Sequence, residues 1–317
     1  MPRNVIGVLF ALSLLQAADS PLAPGAKPKN EGAIGAGEGP AWHSGTGSLY
    51  FTGANRITRR DSAGHVVTVF RESAGGANGL LFDQQQRLVV CESRNRRITR
   101  TEPGGEITVL TDRYEGHRYN SPNDLTIDAK GRIYFSDPRY GRRDDMEIAE
   151  EGVYRIDAPG EVSRVIGREV ERANGVLVSP DDRFLYVADN NNNNVGGARK
   201  LWRFRLKRDG AIDPASRKLI FDWQDGRGPD GFKMDQKGRL YVAAGLNKPH
   251  PPFESADKFK GGVYILSQEG KLLDFIAIPV DEVTNCAFGG ADLKTFFITA
   301  GGTLWSIRVD TAGAVRK

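Results

Sequence analysis

The sequence predicts an all-β fold, a six-bladed β-propeller, and three observations carry that expectation. Six acidic or amide residues, mostly beside Gly or Pro, recur at one fixed distance ahead of a short apolar doublet: Glu38, Asn78, Asn123, Asn174, Asp230 and Asn285. The doublets begin at Tyr50, Val89, Tyr134, Tyr186, Tyr241 and Phe297, giving offsets of 12, 11, 11, 12, 11 and 12 residues. A second repeat runs in phase with the first, an alternating segment that ends at a glycine turn. It reads Ile57-Thr58-Arg59 to Gly64, Ile98-Thr99-Arg100 to Gly104, Val153-Tyr154-Arg155 to Gly160, Leu201-Trp202-Arg203 to Gly210, Val263-Tyr264 to Gly270, and Leu304-Trp305 to Gly313. No long 3.6-residue apolar period interrupts this pattern, so the body of the chain reads as short strands and turns.

Taken from the N-terminus, the first twenty residues stand apart. Arg3 precedes an apolar run from Val5 to Leu15, followed by Gln16-Ala17-Ala18-Asp19-Ser20. That order reads as a secretory signal over residues 1–20, cleaved near Ala17 to Ser20. The run is short for a membrane span, which leaves an uncleaved anchor as the alternative. The expected mature protein, 21–317, is a single domain, exported to a periplasm or secreted.

Residues from Lys27 to Ala36 precede the first axial residue, where the other units carry their outermost strand. They are expected to complete the last blade and close the ring, because the chain ends at Lys317 before that blade has four strands. Between these ends the doublets are spaced by 39, 45, 52, 55 and 56 residues, room for about four strands of ordinary length per unit. Six such units arranged radially form a propeller. The doublet strand, being the most apolar, is expected nearest the axis, with the six polar residues at one mouth of the central channel.

Composition sets bounds on function. Forty-four Lys and Arg against forty Asp and Glu give a net charge of +4, too mild an excess to indicate nucleic acid. The most basic stretch, Arg94, Arg96, Arg97 and Arg100, lacks interleaved aromatics and reads as a charged blade edge. The run Asn190 to Asn194 reads as a polar loop. Cys91 and Cys286 fall in the second and sixth units, which are not adjacent, and are expected to be separate buried thiols. His43, His65, His117 and His250 show no ligand spacing.

Singly, Ala77-Asn78-Gly79, Ala173-Asn174-Gly175 and Pro229-Asp230-Gly231 are ordinary turn sequences. Brought to one mouth, the six would gather two carboxylates and four amides. Buried carboxylates repel and are costly to desolvate, so one divalent cation is the natural partner. An oxygen-only set suits calcium first, with magnesium, manganese or zinc as the alternatives.

The phrases Glu38-Gly39-Pro40-Ala41-Trp42, Asn120-Ser121-Pro122-Asn123-Asp124-Leu125, Ala173-Asn174-Gly175-Val176, Pro229-Asp230-Gly231 and Asn285-Cys286-Ala287-Phe288-Gly289-Gly290 resemble the family of senescence marker protein, gluconolactonase and luciferin-regenerating enzyme. The resemblance runs from about Glu38 to Val309 and is closest to the bacterial gluconolactonases. It implies a six-bladed propeller with an axial divalent metal that hydrolyses lactones. Carried over by motif, it implies metal ligation by Glu38, Asn174 and Asp230, with Asn123 as a fourth ligand or a substrate contact. Some relatives hold a second calcium deeper in the channel; Gly39 lacks the carboxylate they use, and that ion is not expected.

Animal members carry Arg where this chain has Ser121, so Arg118, Asn120 and Tyr140 become candidates for gripping sugar hydroxyls. The expected reaction is metal-dependent hydrolysis of an aldono-lactone such as gluconolactone. Asp230 or Asp124 is the expected base, and Asn78 and Asn285 orient water or sugar. The charged stretch from Arg139 to Glu151 is expected to be a mobile rim loop. Two other readings stay open: a non-catalytic binding propeller with structural calcium, and a phosphotriesterase or arylesterase, which an apolar mouth would favour.

Overall fold

The computed structural model describes residues 20–314 except 62 and 64. The signal expected over 1–20 lies outside the described residues apart from Ser20, as does Gly64, expected to close the first unit. No helix among the described residues is long and apolar enough to cross a membrane.

Among the described residues, six four-stranded antiparallel sheets form the blades of a propeller. Five run in chain order from the inside out, beginning with Glu38–His43, Ala77–Phe82, Leu125–Ile127, Ala173–Val178 and Phe232–Met234. The sixth, entered by Val283–Gly289, takes its outermost strand from the N-terminus: Lys29–Ala36 pairs antiparallel with Gly302–Arg308. This closes the ring as the sequence pattern predicts. A small extra hairpin, Arg113–Tyr114 with His117–Arg118, precedes the third blade.

The strand nearest the axis is not the doublet strand, which corrects one expectation. The innermost strand of each blade is the one entered from the polar axial residue, and the doublet lies on the second strand. The reason is visible in the core, which is divided into six apolar clusters, one between each pair of neighbouring blades. Tyr50 packs with Leu80 and Val90 of the second blade, whereas its neighbour Phe51 packs with Phe297 and Leu304 of the sixth. Val89 faces the third blade beside Phe135, Tyr134 the fourth beside Val187, Tyr186 the fifth beside Val242, and Tyr241 the sixth beside Ile298. Successive residues of a strand point to opposite faces, so each doublet fastens its blade to both neighbours. A second strand has hydrogen-bonded strands on both edges and blades on both faces, so it carries the least polar sequence. The innermost strand has one edge on the channel and can carry polar groups.

Cys91 lies between the second and third blades and Cys286 between the fifth and sixth, both as free buried thiols. Burial pushes the Cys286 thiol up to about 12.

Candidate functional site

The six axial residues stand where the chain enters each innermost strand, and glycine brings them together. A Cβ on Gly39 would lie 2.0 Å from the Asn78 carbonyl oxygen, and one on Gly79 would lie 2.6 Å from that of Asn123. One on Gly175 would lie 2.2 Å from the Asp230 carbonyl oxygen, and one on Gly231 would lie 2.0 Å from the Asn285 side chain. Each glycine thus abuts the axial residue of the next blade. Gly79 N donates to Asn123 O at 2.7 Å and Gly231 N to Thr284 O at 2.7 Å. Asn285 Nδ2 donates to Glu38 Oε2 at 3.2 Å, which joins the sixth blade to the first. The Gly beside these residues reads in the sequence as a turn signal, yet of the four only Gly39 has a positive φ, +53°. The others are glycine because the next blade leaves no room for a side chain. In the first, second, fourth and sixth blades the strand pairing also shifts by one residue here, at a bulge that re-aims the axial side chain.

The carboxylates are held in a setting hostile to charge. Glu38 and Asp230 keep part of their surface open to the channel but lie deep within the ring of blades, and Asp124 is buried outright. Desolvation pushes the Glu38 carboxyl up to about 7, with the charge of Asp124 adding to it and the Gly39 N–H and Asn285 amide opposing. Asp230 is pushed well above the usual carboxylate range by burial and then by the charge of Glu38, and Asp124 is raised by burial. Asp124 Oδ1 accepts from Leu125 N at 2.9 Å, while its Oδ2 is buried without a partner.

The amides divide into two kinds. Asn285 is fully engaged: Oδ1 accepts from Cys286 N at 2.8 Å and Nδ2 faces Glu38, so it supports that carboxylate. Asn78 and Asn174 each bury an Oδ1 with no hydrogen-bond partner. Asn123 contributes its backbone carbonyl to Gly79 and keeps a partly exposed side chain. A buried oxygen without a donor is costly; that of Asn174, together with the raised carboxylates of Glu38 and Asp230, fits a hard divalent cation, and that of Asn78 is free to accept from water or a hydroxyl. Among the described residues no group of three or more His, Cys, Asp or Glu is clustered as metal ligands, so the fit rests on the amide oxygens as well.

Of the other candidates, Asn120 is wholly buried and its amide N–H groups go to the carbonyls of Asp137 and Glu150 at 3.5 and 3.2 Å, leaving Oδ1 unpartnered. Arg118 is exposed on the short hairpin, with its backbone N–H bonded to Glu147 Oε2 at 2.8 Å. Tyr140 reaches Asn174, which donates from Nδ2 to its hydroxyl at 2.9 Å. The charged stretch from Arg139 to Glu151 is anchored rather than free. Buried Glu151 pairs with Arg143 at 2.6 Å and Arg172 at 2.7 Å, and Arg139 pairs with Asp145 at 2.7 Å.

Two features escape a reading of the sequence. Asp137 and Asp189 each grip two successive backbone N–H groups, those three and two residues ahead of an axial Asn. Asp137 accepts from Asn120 N and Ser121 N at 2.7 Å each, and Asp189 from Glu171 N and Arg172 N at 3.1 and 2.9 Å. Both stand three residues after the first residue of a doublet, as does Glu92, and that constant offset is the signal that could have found them. Lys233, on the innermost strand of the fifth blade, is the second feature; its positive charge favours the ionised forms of Glu38 and Asp124. Lys233 also lines a cavity of about 850 Å³ walled by Trp42, Leu81, Phe82, Met234 and Phe288, toward the other end of the innermost strands. The apolar end of the channel is therefore opposite the oxygen-lined end.

Fold and site together define a six-bladed propeller whose channel opens through a ring of carboxylate and amide oxygens. The SMP-30/Gluconolactonase/LRE-like region matches residues 36–302, and the chain belongs to that family. It is 30% identical over 304 residues to a gluconolactonase of Zymomonas mobilis, covering 87% of this chain and 79% of that protein. It is likewise 30% identical over 270 residues to a 6-deoxy-6-sulfogluconolactonase of Pseudomonas putida, covering 83% and 82% of the two chains. Among solved structures, a Xanthomonas campestris gluconolactonase superposes with a TM-score of 0.78 at 32% identity, covering 92% of this chain and 93% of that one.

Proposed function

We propose that the protein is a lactonase that opens a sugar lactone of the aldono-lactone class, such as gluconolactone, at the oxygen-lined channel mouth. The observation that carries this reading is the set of unpartnered oxygens of Asn78, Asp124 and Asn174 beside Glu38 and Asp230. The names of the Zymomonas mobilis, Pseudomonas putida and Xanthomonas campestris relatives support lactones as the substrate class. The polar mouth favours a sugar over an aryl ester or a phosphotriester.

Glu38, Asn174 and Asp230, with Asn123, would hold a divalent cation, calcium by the chemistry of the donors. When bound, the cation supplies a Lewis acid for the lactone carbonyl and lowers the pKa of water at the site. The chain's own groups do the rest. Asp230 or Asp124 takes a proton from the attacking water, whose oxygen bonds to the carbonyl carbon. The ring C–O bond then breaks and its oxygen takes up a proton, giving the open-chain hydroxy acid, which releases one proton at neutral pH. Asn285 keeps Glu38 oriented through Nδ2, and Asn78 presents its Oδ1 to water or a sugar hydroxyl. The apolar run of the first twenty residues supports export of the protein, to a periplasm or the medium.

Asp230→Ala is the direct test. It is expected to abolish lactone turnover and to weaken calcium binding in the same protein. A variant that keeps full turnover refutes the assignment.

A further inference from the structure

We infer that Tyr140 is a positioning residue that fixes which way the Asn174 amide faces, and that the Arg172–Glu151 pair holds Tyr140 in place. The inference rests on the reading of Asn174 as a ligand of the axial cation.

An asparagine can present either its oxygen or its NH2 to a cation, and only the oxygen binds. At Asn174 the choice follows from the neighbours. The Tyr140 hydroxyl donates its single proton to the carbonyl oxygen of Asn190 at 3.0 Å, a group that can only accept. The hydroxyl is left with lone pairs alone for its second contact, with Asn174 at 2.9 Å. The side of Asn174 facing it must therefore be the NH2 donor. Oδ1 is turned to the other side, where it is buried with no protein partner. The hydroxyl proton is thus committed to Asn190, which leaves Tyr140 no donor to offer a sugar.

Tyr140 is itself held. Arg172 lies over its ring, 5.2 Å from the centroid, and is ion-paired to buried Glu151 at 2.7 Å. Glu151 also accepts from Arg139 N at 2.7 Å, and the Asn193 amide donates to the Tyr140 carbonyl at 3.4 Å. Two loops, the charged one from Arg139 to Glu151 and the asparagine run from Asn190, thereby converge on one hydroxyl. Groups that orient a ligand without touching the metal typically contribute about 10- to 100-fold in metal affinity.

The test is calcium titration of the metal-stripped full chain by calorimetry, comparing wild type, Tyr140→Phe, Asn174→Asp and the double variant. Phenylalanine keeps the ring under Arg172 and removes only the hydroxyl. In the wild-type background Tyr140→Phe is expected to weaken binding about 10- to 100-fold. A carboxylate at 174 has an oxygen on both sides and needs no orientation, so in the Asn174→Asp background the same change is expected to cost less than about threefold, within ordinary context effects. An equal loss in both backgrounds marks a merely structural tyrosine and overturns the inference. Unchanged affinity for Tyr140→Phe also overturns it while leaving the cation reading intact. Wild-type protein that binds neither calcium, magnesium, manganese nor zinc overturns the cation reading, and the inference with it.

Discussion

Replacing Gly175 by alanine probes the device that assembles the mouth. The new methyl would lie 2.2 Å from the Asp230 carbonyl oxygen, where 3.0 Å is about the closest approach a real Cβ tolerates. The obstacle is backbone, so the fourth and fifth blades must part, and Asp230 moves with its own carbonyl. A displacement approaching 1 Å at a reacting group typically costs about 10²-fold in rate. Forcing a methyl into packed structure costs about 1–3 kcal/mol of stability. Gly175→Ala is therefore expected to lower lactone turnover about 100-fold. In a urea titration its unfolding midpoint should fall as well. Gly167→Ala is the control, because its Cβ would meet nothing closer than 3.8 Å and its φ is not positive. It is expected to match wild type in both assays. The reasoning is refuted if Gly175→Ala keeps wild-type turnover and midpoint.

Two further outcomes are expected. Deleting 21–36 removes the outermost strand of the sixth blade, so amide exchange protection should be lost through Gly302–Arg308 first, with the second and third blades least affected; unchanged protection there would contradict the closure of the ring. Because Cys91 and Cys286 are buried and their thiols are shifted upward by desolvation, neither should react with an aqueous thiol reagent in native protein at pH 8, and both should react in denaturant. Rapid native labelling of either would show that its blade interface opens.

The fold was legible because a propeller repeats its constraints. Doublets such as Tyr134-Phe135 must be apolar at both positions to fasten two neighbours, and that requirement recurs once per blade. Their place second from the axis was not legible, since apolar content reports burial and the innermost strand trades some burial for the channel. The axial residues could be found by register, but the reason for Gly79, Gly175 and Gly231 could not. Local sequence suggests a turn, whereas the actual constraint lies more than forty residues away, a backbone oxygen at Gly79 and Gly175 and the Asn285 side chain at Gly231. Lys233 was hidden because one lysine on a strand gives no periodic signal. The link from Glu151 through Arg172 and Tyr140 to Asn174 joins residues of two blades and has no signature along the chain.

The central claim is that the oxygen ring, loaded with a divalent cation, hydrolyses sugar lactones. It is tested most directly by following proton release from gluconolactone and related aldono-lactones with metal-stripped protein. Calcium, magnesium, manganese and zinc are added back separately and spontaneous hydrolysis is subtracted. Turnover that is absent without metal and restored by an added ion, calcium foremost, is the predicted result. A rise in melting temperature on adding the ion with no turnover of any lactone would contradict it and leave a binding propeller riveted by its cation.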